Sequence, residues 1–101
     1  MWLFVMFDLP VKHKYERKIY NNFRNKLLEH GFMRAQYSVY IKSCTDRNEV
    51  IRLSKTIDKI SPYNGQVRII EITEKQYENM KILGSEQKPK KERRYNQLEL
   101  F

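Results

Sequence analysis

Asp8 is the side chain in this sequence best placed to do chemistry, because it ends an apolar strand. The run from Trp2 to Phe7 is apolar at every position, and Leu9 and Pro10 follow Asp8. A run without alternating polar residues predicts a strand that is buried on both faces, and proline cannot continue the hydrogen-bonded ladder. Asp8 is therefore expected where a central strand leaves the core. That position suits a metal ligand or catalytic group, and it equally suits a cap for the following helix.

Asp8 has no carboxylate companion nearby in the sequence, so a single chain would hold Mg²⁺ poorly. Mg²⁺ in proteins usually takes one or two carboxylates together with waters and phosphates. A two-fold dimer could bring two copies of Asp8 together, and a divalent cation or a shared proton would relieve their repulsion. Such a pair would suit metal-assisted attack of water on a phosphodiester. From the residues alone, a structural cap or turn role for Asp8 is favoured, and a role as catalytic residue and Mg²⁺ ligand is the alternative.

Basic residues gather where the chain enters its first helix. Lysine and arginine outnumber acids by 20 to 12, and the net charge is +8, which favours nucleic acid over a membrane as partner. Positive charge at a helix N-terminus opposes the helix dipole, unless a phosphate binds there. A solvated helix face is the alternative. The predicted nucleic-acid-binding residues are Lys12, Lys14, Arg17, Lys18 and Arg24.

Other chemistries find little support in the sequence. Cys44 is the single cysteine, so no intrachain disulfide can form, and no Cys/His cluster has zinc spacing. Ser38 lacks a glycine-rich elbow or a nearby base, and Tyr37 and Tyr40 are interpreted as packing residues. The first strand is too short to span a bilayer and has no signal-peptide pattern. We expect a cytoplasmic protein with no membrane partner.

The first half of the chain predicts a strand, a long helix over 12–30 and then two strands. The segment 32–42 is rich in β-branched and aromatic residues, with a tight turn or bulge near Gln36. Gly31 supplies the stop signal of the helix. The apolar stripe of that helix is expected to comprise Tyr15, Ile19, Tyr20, Phe23, Leu27 and Leu28.

The second half predicts a helix, a strand and a short third helix. Asp46 with Glu49 resembles a capping box, and Asn64-Gly65 is a strong turn signal before a strand over 67–72. Thr73 is expected to cap the third helix, over 74–82. The apolar face of the second helix is expected to comprise Val50, Leu53, Ile57 and Ile60.

This order of elements, β-α-β-β-α-β, predicts a ferredoxin-like α+β domain over 1–83. Both long helices then cover one face of a four-stranded antiparallel sheet, and homodimerisation through the open apolar face is the simplest way to bury it. A basic linker is predicted over 84–94, and a short C-terminal strand over 95–101. That strand could pair with its own sheet or with a partner. Its predicted partner-binding residues are Leu98, Leu100 and Phe101.

Five segments spread over the whole chain resemble the CRISPR-associated Cas2 family, and most closely its versions from type II systems. Each segment is weakly specific alone, and the combination is specific. They are Phe7-Asp8-Leu9-Pro10, Lys14-Tyr15-Glu16-Arg17-Lys18, Gln36-Tyr37-Ser38-Val39-Tyr40, Gly65-Gln66-Val67-Arg68-Ile69 and Gln97-Leu98-Glu99-Leu100-Phe101.

The resemblance implies a homodimer that scaffolds spacer acquisition with the Cas1 integrase on double-stranded protospacer DNA. It further implies a metal-dependent nuclease acting on RNA or DNA, with Asp8 as Mg²⁺ ligand and with Lys12, Lys14 and Arg17 at the nucleic acid. The segment 95–101 would complete a sheet across the dimer or dock the integrase. We therefore expect a DNA-binding adaptation scaffold, a role that does not require the endonuclease activity that the resemblance also implies. The alternative is a stand-alone metal-dependent endoribonuclease of toxin type.

Overall fold

The computed structural model describes residues 1–84, which form an antiparallel sheet and three helices. The strand order β2-β3-β1-β4 confirms the ferredoxin-like topology. The predicted strand over 95–101, with Leu98, Leu100 and Phe101, and all of the predicted linker beyond Gly84 lie outside the described residues. The elements are β1 (Trp2–Asp8), α1 (Lys14–Glu29), β2 (Met33–Gln36), β3 (Val39–Ser43), α2 (Arg47–Ile60), β4 (Gln66–Ile72) and α3 (Glu74–Glu78). Within residues 1–84, no helix has the length and apolar character needed to cross a membrane.

Strand β1 lies in the middle of the sheet, between β3 and β4. Side chains of successive strand residues point to opposite faces, and Leu3, Val5 and Phe7 are buried on one of them. Trp2 is fully buried on the other face. Burial on that second face then falls along the strand, because Phe4 and Met6 are half-buried and Asp8 is exposed. The predicted burial of both faces therefore holds at the start of β1 and is lost at its end.

Helices α1 and α2 cover the face of Leu3, Val5 and Phe7, which we call the helix-covered face. The predicted stripe of α1 is partly wrong, because Tyr15 is 63% exposed and Leu28 is 47% exposed. Each step of four residues overshoots a full turn by about 40°, so a stripe built from such steps drifts off the buried side. The helix residues buried against this face are Tyr20, Phe23 and Leu27 from α1 and Val50, Leu53 and Ile57 from α2.

The second face carries Trp2, Phe4, Met6 and Asp8 with their neighbours on the adjacent strands, and helix α3 covers its Trp2 end. The Tyr77 ring stacks on the indole of Trp2 with centroids 3.9 Å apart. Trp2 Nε1 donates a hydrogen bond of 2.6 Å to the Glu74 carboxylate. The prediction of a fully open face is therefore wrong at this end. Farther along this face, on the edge strand β4, Ile70 remains 50% exposed.

Helix α3 begins as predicted and ends earlier. The backbone N–H of Gln76 donates to Thr73 Oγ1 at 3.1 Å, which confirms Thr73 as the N-cap. The helix ends at Glu78 instead of position 82. Tyr77 is its one buried residue, so little tertiary contact supports a longer helix, and short helices depend on such contact.

Candidate active site and nucleic-acid surface

Asp8 is the last residue of β1 and lies at the uncovered end of the second face. It pairs in register with Gln66, the first residue of β4. The loop before β4 approaches this strand end closely: a Cβ on Gly65 would lie 2.3 Å from the Asp8 carbonyl oxygen and 2.8 Å from Leu9 Cδ2. Only glycine fits at that distance. The Asn64-Gly65 turn predicted from the sequence therefore also defines how closely β4 approaches Asp8.

A pocket of about 260 Å³ surrounds the end of β1. Its polar lining comes from three elements, since Asp8 ends β1, Gln66 and Arg68 begin β4, and Ser38 lies in the turn between β2 and β3. The side chains of Asp8, Gln66 and Arg68 share the second face, because Arg68 is the register partner of Met6. The pocket thus brings together a carboxylate, an amide, a guanidinium and a hydroxyl.

The β2–β3 turn that closes the pocket is held by its hydrogen bonds. Ser38 has a φ of +63°, which is uncommon for a residue other than glycine. Its carbonyl oxygen accepts a bond of 3.0 Å from the Phe7 N–H, and its Oγ lies 2.9 Å from the Tyr20 hydroxyl. These contacts connect the turn to both β1 and α1, so the wall of the pocket opposite β4 is fixed in place.

Tyr20, which contacts Ser38 through its hydroxyl, is itself buried in the helix-covered core. Burial raises the pKa of the Tyr20 hydroxyl, and the hydrogen bond with Ser38 opposes that rise. The Tyr20 ring stacks on Tyr37 at 5.6 Å, and the Arg34 guanidinium lies 5.7 Å from the centre of the Tyr37 ring. Tyr40 is buried, as predicted, whereas Tyr37 is 64% exposed and so is not a core residue.

The oxygen atoms of the pocket suit a single hard cation only in part. Asp8 is the one carboxylate among the described residues that lines it, and Ser38 and Gln66 add neutral oxygens. Nowhere in residues 1–84 do three or more Asp, Glu, His or Cys side chains gather as metal ligands. One carboxylate with neutral oxygens fits the way Mg²⁺ is held beside substrate phosphates. Asp8 would be the charged ligand in this pocket, with Ser38 and Gln66 as neutral ones.

Most of the predicted nucleic-acid-binding residues lie on the outer surface at the start of α1. Lys12, Lys14, Arg17 and Lys18 are exposed. A shallow depression of about 730 Å³ is lined by Lys14, Tyr15, Arg17, Lys18, Asn21 and Asn22. This surface combines cationic and amide side chains with one exposed aromatic ring, groups that suit a nucleic-acid backbone.

Two of the predicted residues also have structural surroundings. Arg17 Nη1 donates to the carbonyl oxygens of Val11 and Lys12 at 3.1 and 2.8 Å, which ties the β1–α1 loop to the helix. Arg24 is half-buried, and its Nε has no hydrogen-bond partner in the part of the chain that the structure describes. Lys14 and Lys18 are therefore the cleaner probes of this surface.

Three residues of this site were not predicted from the sequence. They are Gly65, Gln66 and Arg68. The signal for them was present in the topology, since an antiparallel β4 next to β1 must begin where β1 ends. Asp8 was therefore certain to face the start of β4 once the β-α-β-β-α-β order was accepted.

Comparison with known proteins gives consistent matches over most of the chain. The family model described as CRISPR associated protein Cas2 matches residues 1–80. A CRISPR-associated endoribonuclease Cas2 from Paracidovorax avenae is 40% identical, covering 100% of this chain and 94% of the relative. A protein of the same name from Flavobacterium psychrophilum is 37% identical, covering 100% and 88%. The crystal structure of Streptococcus pyogenes Cas2 at pH 6.5 matches with a TM-score of 0.64 at 20% identity, covering 83% of this chain and all of that one.

Proposed function

Because this chain belongs to the CRISPR associated protein Cas2 family, we propose that it is a CRISPR-associated endonuclease that works as a homodimer. The position of Asp8 carries the proposal: the carboxylate is exposed at the uncovered end of an apolar sheet face. The curated relatives are named CRISPR-associated endoribonucleases, which favours RNA as a substrate and a CRISPR setting over a toxin system.

A second copy of the chain is the proposed cover for the second face. Phe4, Met6 and Val39 are half-buried there and Ile70 is exposed. Apolar surface of this kind marks association sites, and a two-fold contact uses the same patch on both copies. Since Asp8 ends the same face, a two-fold contact there would bring the two carboxylates toward each other.

The proposed reaction is hydrolysis of a phosphodiester. The oxygen of a water molecule forms a bond to phosphorus while the bond from phosphorus to one sugar oxygen breaks. The leaving oxygen keeps the electron pair and takes up a proton, and the water gives up a proton to solvent. Asp8 would orient the attacking water and hold the cation. A divalent cation bound there supplies positive charge beside the phosphate.

The test of the nuclease proposal is Asp8→Asn, with Asp58→Asn as matched control. Asp58 is an exposed carboxylate on α2, on the other side of the sheet. Cleavage of a labelled single-stranded RNA in Mg²⁺ is expected to stop in Asp8→Asn and to continue in Asp58→Asn. Cleavage by Asp8→Asn at the wild-type rate would rule out Asp8 as the catalytic centre.

The outer surface of α1 favours a second role, as a DNA-binding scaffold for the Cas1 integrase during spacer acquisition. Lys14 and Lys18 lie one turn apart on that surface, and both are exposed. Contacts to the phosphate backbone would make binding sequence-tolerant and strongly salt-dependent. This role requires the surface of α1 and does not require cleavage at Asp8.

The salt dependence of duplex DNA binding tests this surface. Each lost phosphate contact reduces the slope of log K against log salt by about 0.9, so Lys14→Gln with Lys18→Gln should reduce it by about 1.8. Lys55→Gln with Lys59→Gln removes the same charge from exposed positions on α2. An equal change in slope for both pairs would mean that the protein attracts DNA by net charge without using α1.

A further inference from the structure

Arg68 is the second charged residue of the Asp8 pocket, and the hydrolysis described above, with Asp8, water and a cation, does not use it. Of the side chains in residues 1–84 that line the pocket, only Asp8 and Arg68 carry charge. They come from neighbouring strands and lie on the same face of the sheet. Their opposite charges would be expected to attract each other across so small a space.

The two charges nevertheless do not pair within the chain. Among the described residues, no ion pair within 4.0 Å joins Asp8 to Arg68. Instead Arg68 Nη2 donates to Gln66 Oε1 at 3.3 Å, and Gln66 is the register partner of Asp8. A guanidinium has five N–H donors, so this single bond leaves most of them available to a ligand.

Phosphate is the ligand chemistry that this arrangement favours. A planar guanidinium binds two oxygens of a phosphate in a fork geometry, whereas a carboxylate alone repels it. We propose that Arg68 binds the phosphate at the scissile bond and positions it against Asp8. This proposal rests on the proposed nuclease function, and it adds the residue that holds the substrate anion in the pocket.

The variants that test this role are Arg68→Gln, Arg68→Lys and Asp8→Asn, with Arg52→Gln as the matched control. Arg52 is an exposed arginine on α2 that pairs with Glu49 at 3.5 Å, so its loss removes the same charge on the other side of the sheet. Three quantities are measured for each protein. They are the single-turnover rate of RNA cleavage at saturating protein in Mg²⁺, the Kd for the same RNA in EDTA, and the oligomeric state by sedimentation velocity.

Arg68→Gln is expected to lower the saturating rate by about 100- to 1,000-fold, the range for loss of one preorganised group that stabilises transition-state charge. Arg68→Lys should retain an intermediate rate, because it keeps the charge and loses the fork. The Kd in EDTA and the oligomeric state should match those of Arg52→Gln, since most of the RNA contacts lie elsewhere.

Each contrary result has a distinct meaning. A rate for Arg68→Gln equal to that of Arg52→Gln, with Asp8→Asn inactive, would overturn the role of Arg68 alone. A loss of rate that follows dissociation into monomers would assign Arg68 to the contact between copies and would also overturn the role. Full activity in Asp8→Asn, or no cleavage by the wild-type protein, would overturn the nuclease proposal and this one with it.

Discussion

The two faces of the sheet differ in how far the chain covers them by itself. On the helix-covered face, Phe7 packs edge-on against Phe23 at 5.0 Å within a continuous core from β1, α1 and α2. On the second face, the buried cluster formed by the described part of the chain contains only Trp2, Ile41 and Tyr77, with half-buried residues around it. Within residues 1–84, one face is fully covered, while the other is covered at the Trp2 end and exposed at the end that carries Asp8.

This difference separates the part of the molecule that supports the fold from the part available for function. The helix-covered face contributes stability, and because α1 and α2 bury it, this face of the sheet has no surface left for a ligand. The second face keeps enough apolar contact at Trp2 to hold α3, and it leaves Ile70 and the Asp8 pocket accessible. The proposed homodimer would use this incompletely covered face to bring two copies of Asp8 together.

The largest expected effect comes from truncating an aromatic residue on each face. Phe23→Ala should lower the free energy of unfolding by about 3–5 kcal/mol, because it leaves a cavity in a closed core. Phe4→Ala should have a smaller effect in dilute solution, since its ring is only half-buried in a single copy. Urea denaturation at low protein concentration measures both values, and equal losses would contradict the asymmetry between the faces.

Repeating these measurements at several protein concentrations gives a second test of the difference between the two faces. If a second copy covers the second face, association stabilises the wild-type protein by mass action. The destabilisation by Phe4→Ala should then grow with concentration, while that of Phe23→Ala should change less. A penalty for Phe4→Ala that is independent of concentration would mean that this face does not associate.

The covered end of the second face depends on Trp2. Trp2→Phe keeps an aromatic ring but removes the hydrogen bond to the Glu74 carboxylate, and bonds to charged groups contribute about 1.5–3 kcal/mol. Amide hydrogens of α3 should exchange faster in this variant, while those of α1 should be protected as before. Lys75→Ala, at an exposed position of α3, is the control. Unchanged exchange in α3 would show that the stack with Tyr77 alone holds the helix.

The sequence predicted the helix-covered face better than the second face, for a physical reason. Val50, Leu53 and Ile57 repeat at helical spacing after the Asp46 cap, and the Asp46 side chain does accept a bond from the Glu49 N–H, so local signals agree there. The stacking of Tyr77 on Trp2 joins residues at opposite ends of the domain and leaves no local pattern. Gln66 and Arg68 likewise join the site through strand register, which topology determines and composition does not.

Beside the Asp8 pocket, Gly65→Ala should displace the loop before β4, and its added Cβ would also meet Leu9 at the edge of the helix-covered core. The added Cβ would lie 2.3 Å from the Asp8 carbonyl oxygen, so the loop must move away from β1, with a loss of roughly 1–3 kcal/mol. RNA cleavage should fall further than in Tyr63→Ala, which truncates an exposed side chain of the same loop. Equal cleavage by the two variants would mean that the position of β4 does not determine the site.

Tyr20 gives the smallest and most specific test, because it connects the closed core to the wall of the pocket. Tyr20→Phe removes the hydrogen bond to Ser38, a loss of about 1 kcal/mol at neutral pH. Burial raises the pKa of Tyr20 in the folded protein, so the folded state favours the neutral form of this side chain. The resulting stabilisation is fully present at pH values below the unfolded pKa of about 10. That stabilisation is lost as the pH rises through the folded pKa.

Phenylalanine cannot ionise, so the stability gap between wild type and Tyr20→Phe should narrow above about pH 10. Urea denaturation at pH 7, 9 and 10.5 measures the gap, and Tyr63→Phe controls for loss of a hydroxyl from an exposed ring. Parallel stability curves would show that the environment of Tyr20 does not favour its neutral form. A narrowing gap would show that the contact between α1 and the Ser38 turn depends on a protonated Tyr20. A residue of the helix-covered core would then help to hold one wall of the Asp8 pocket.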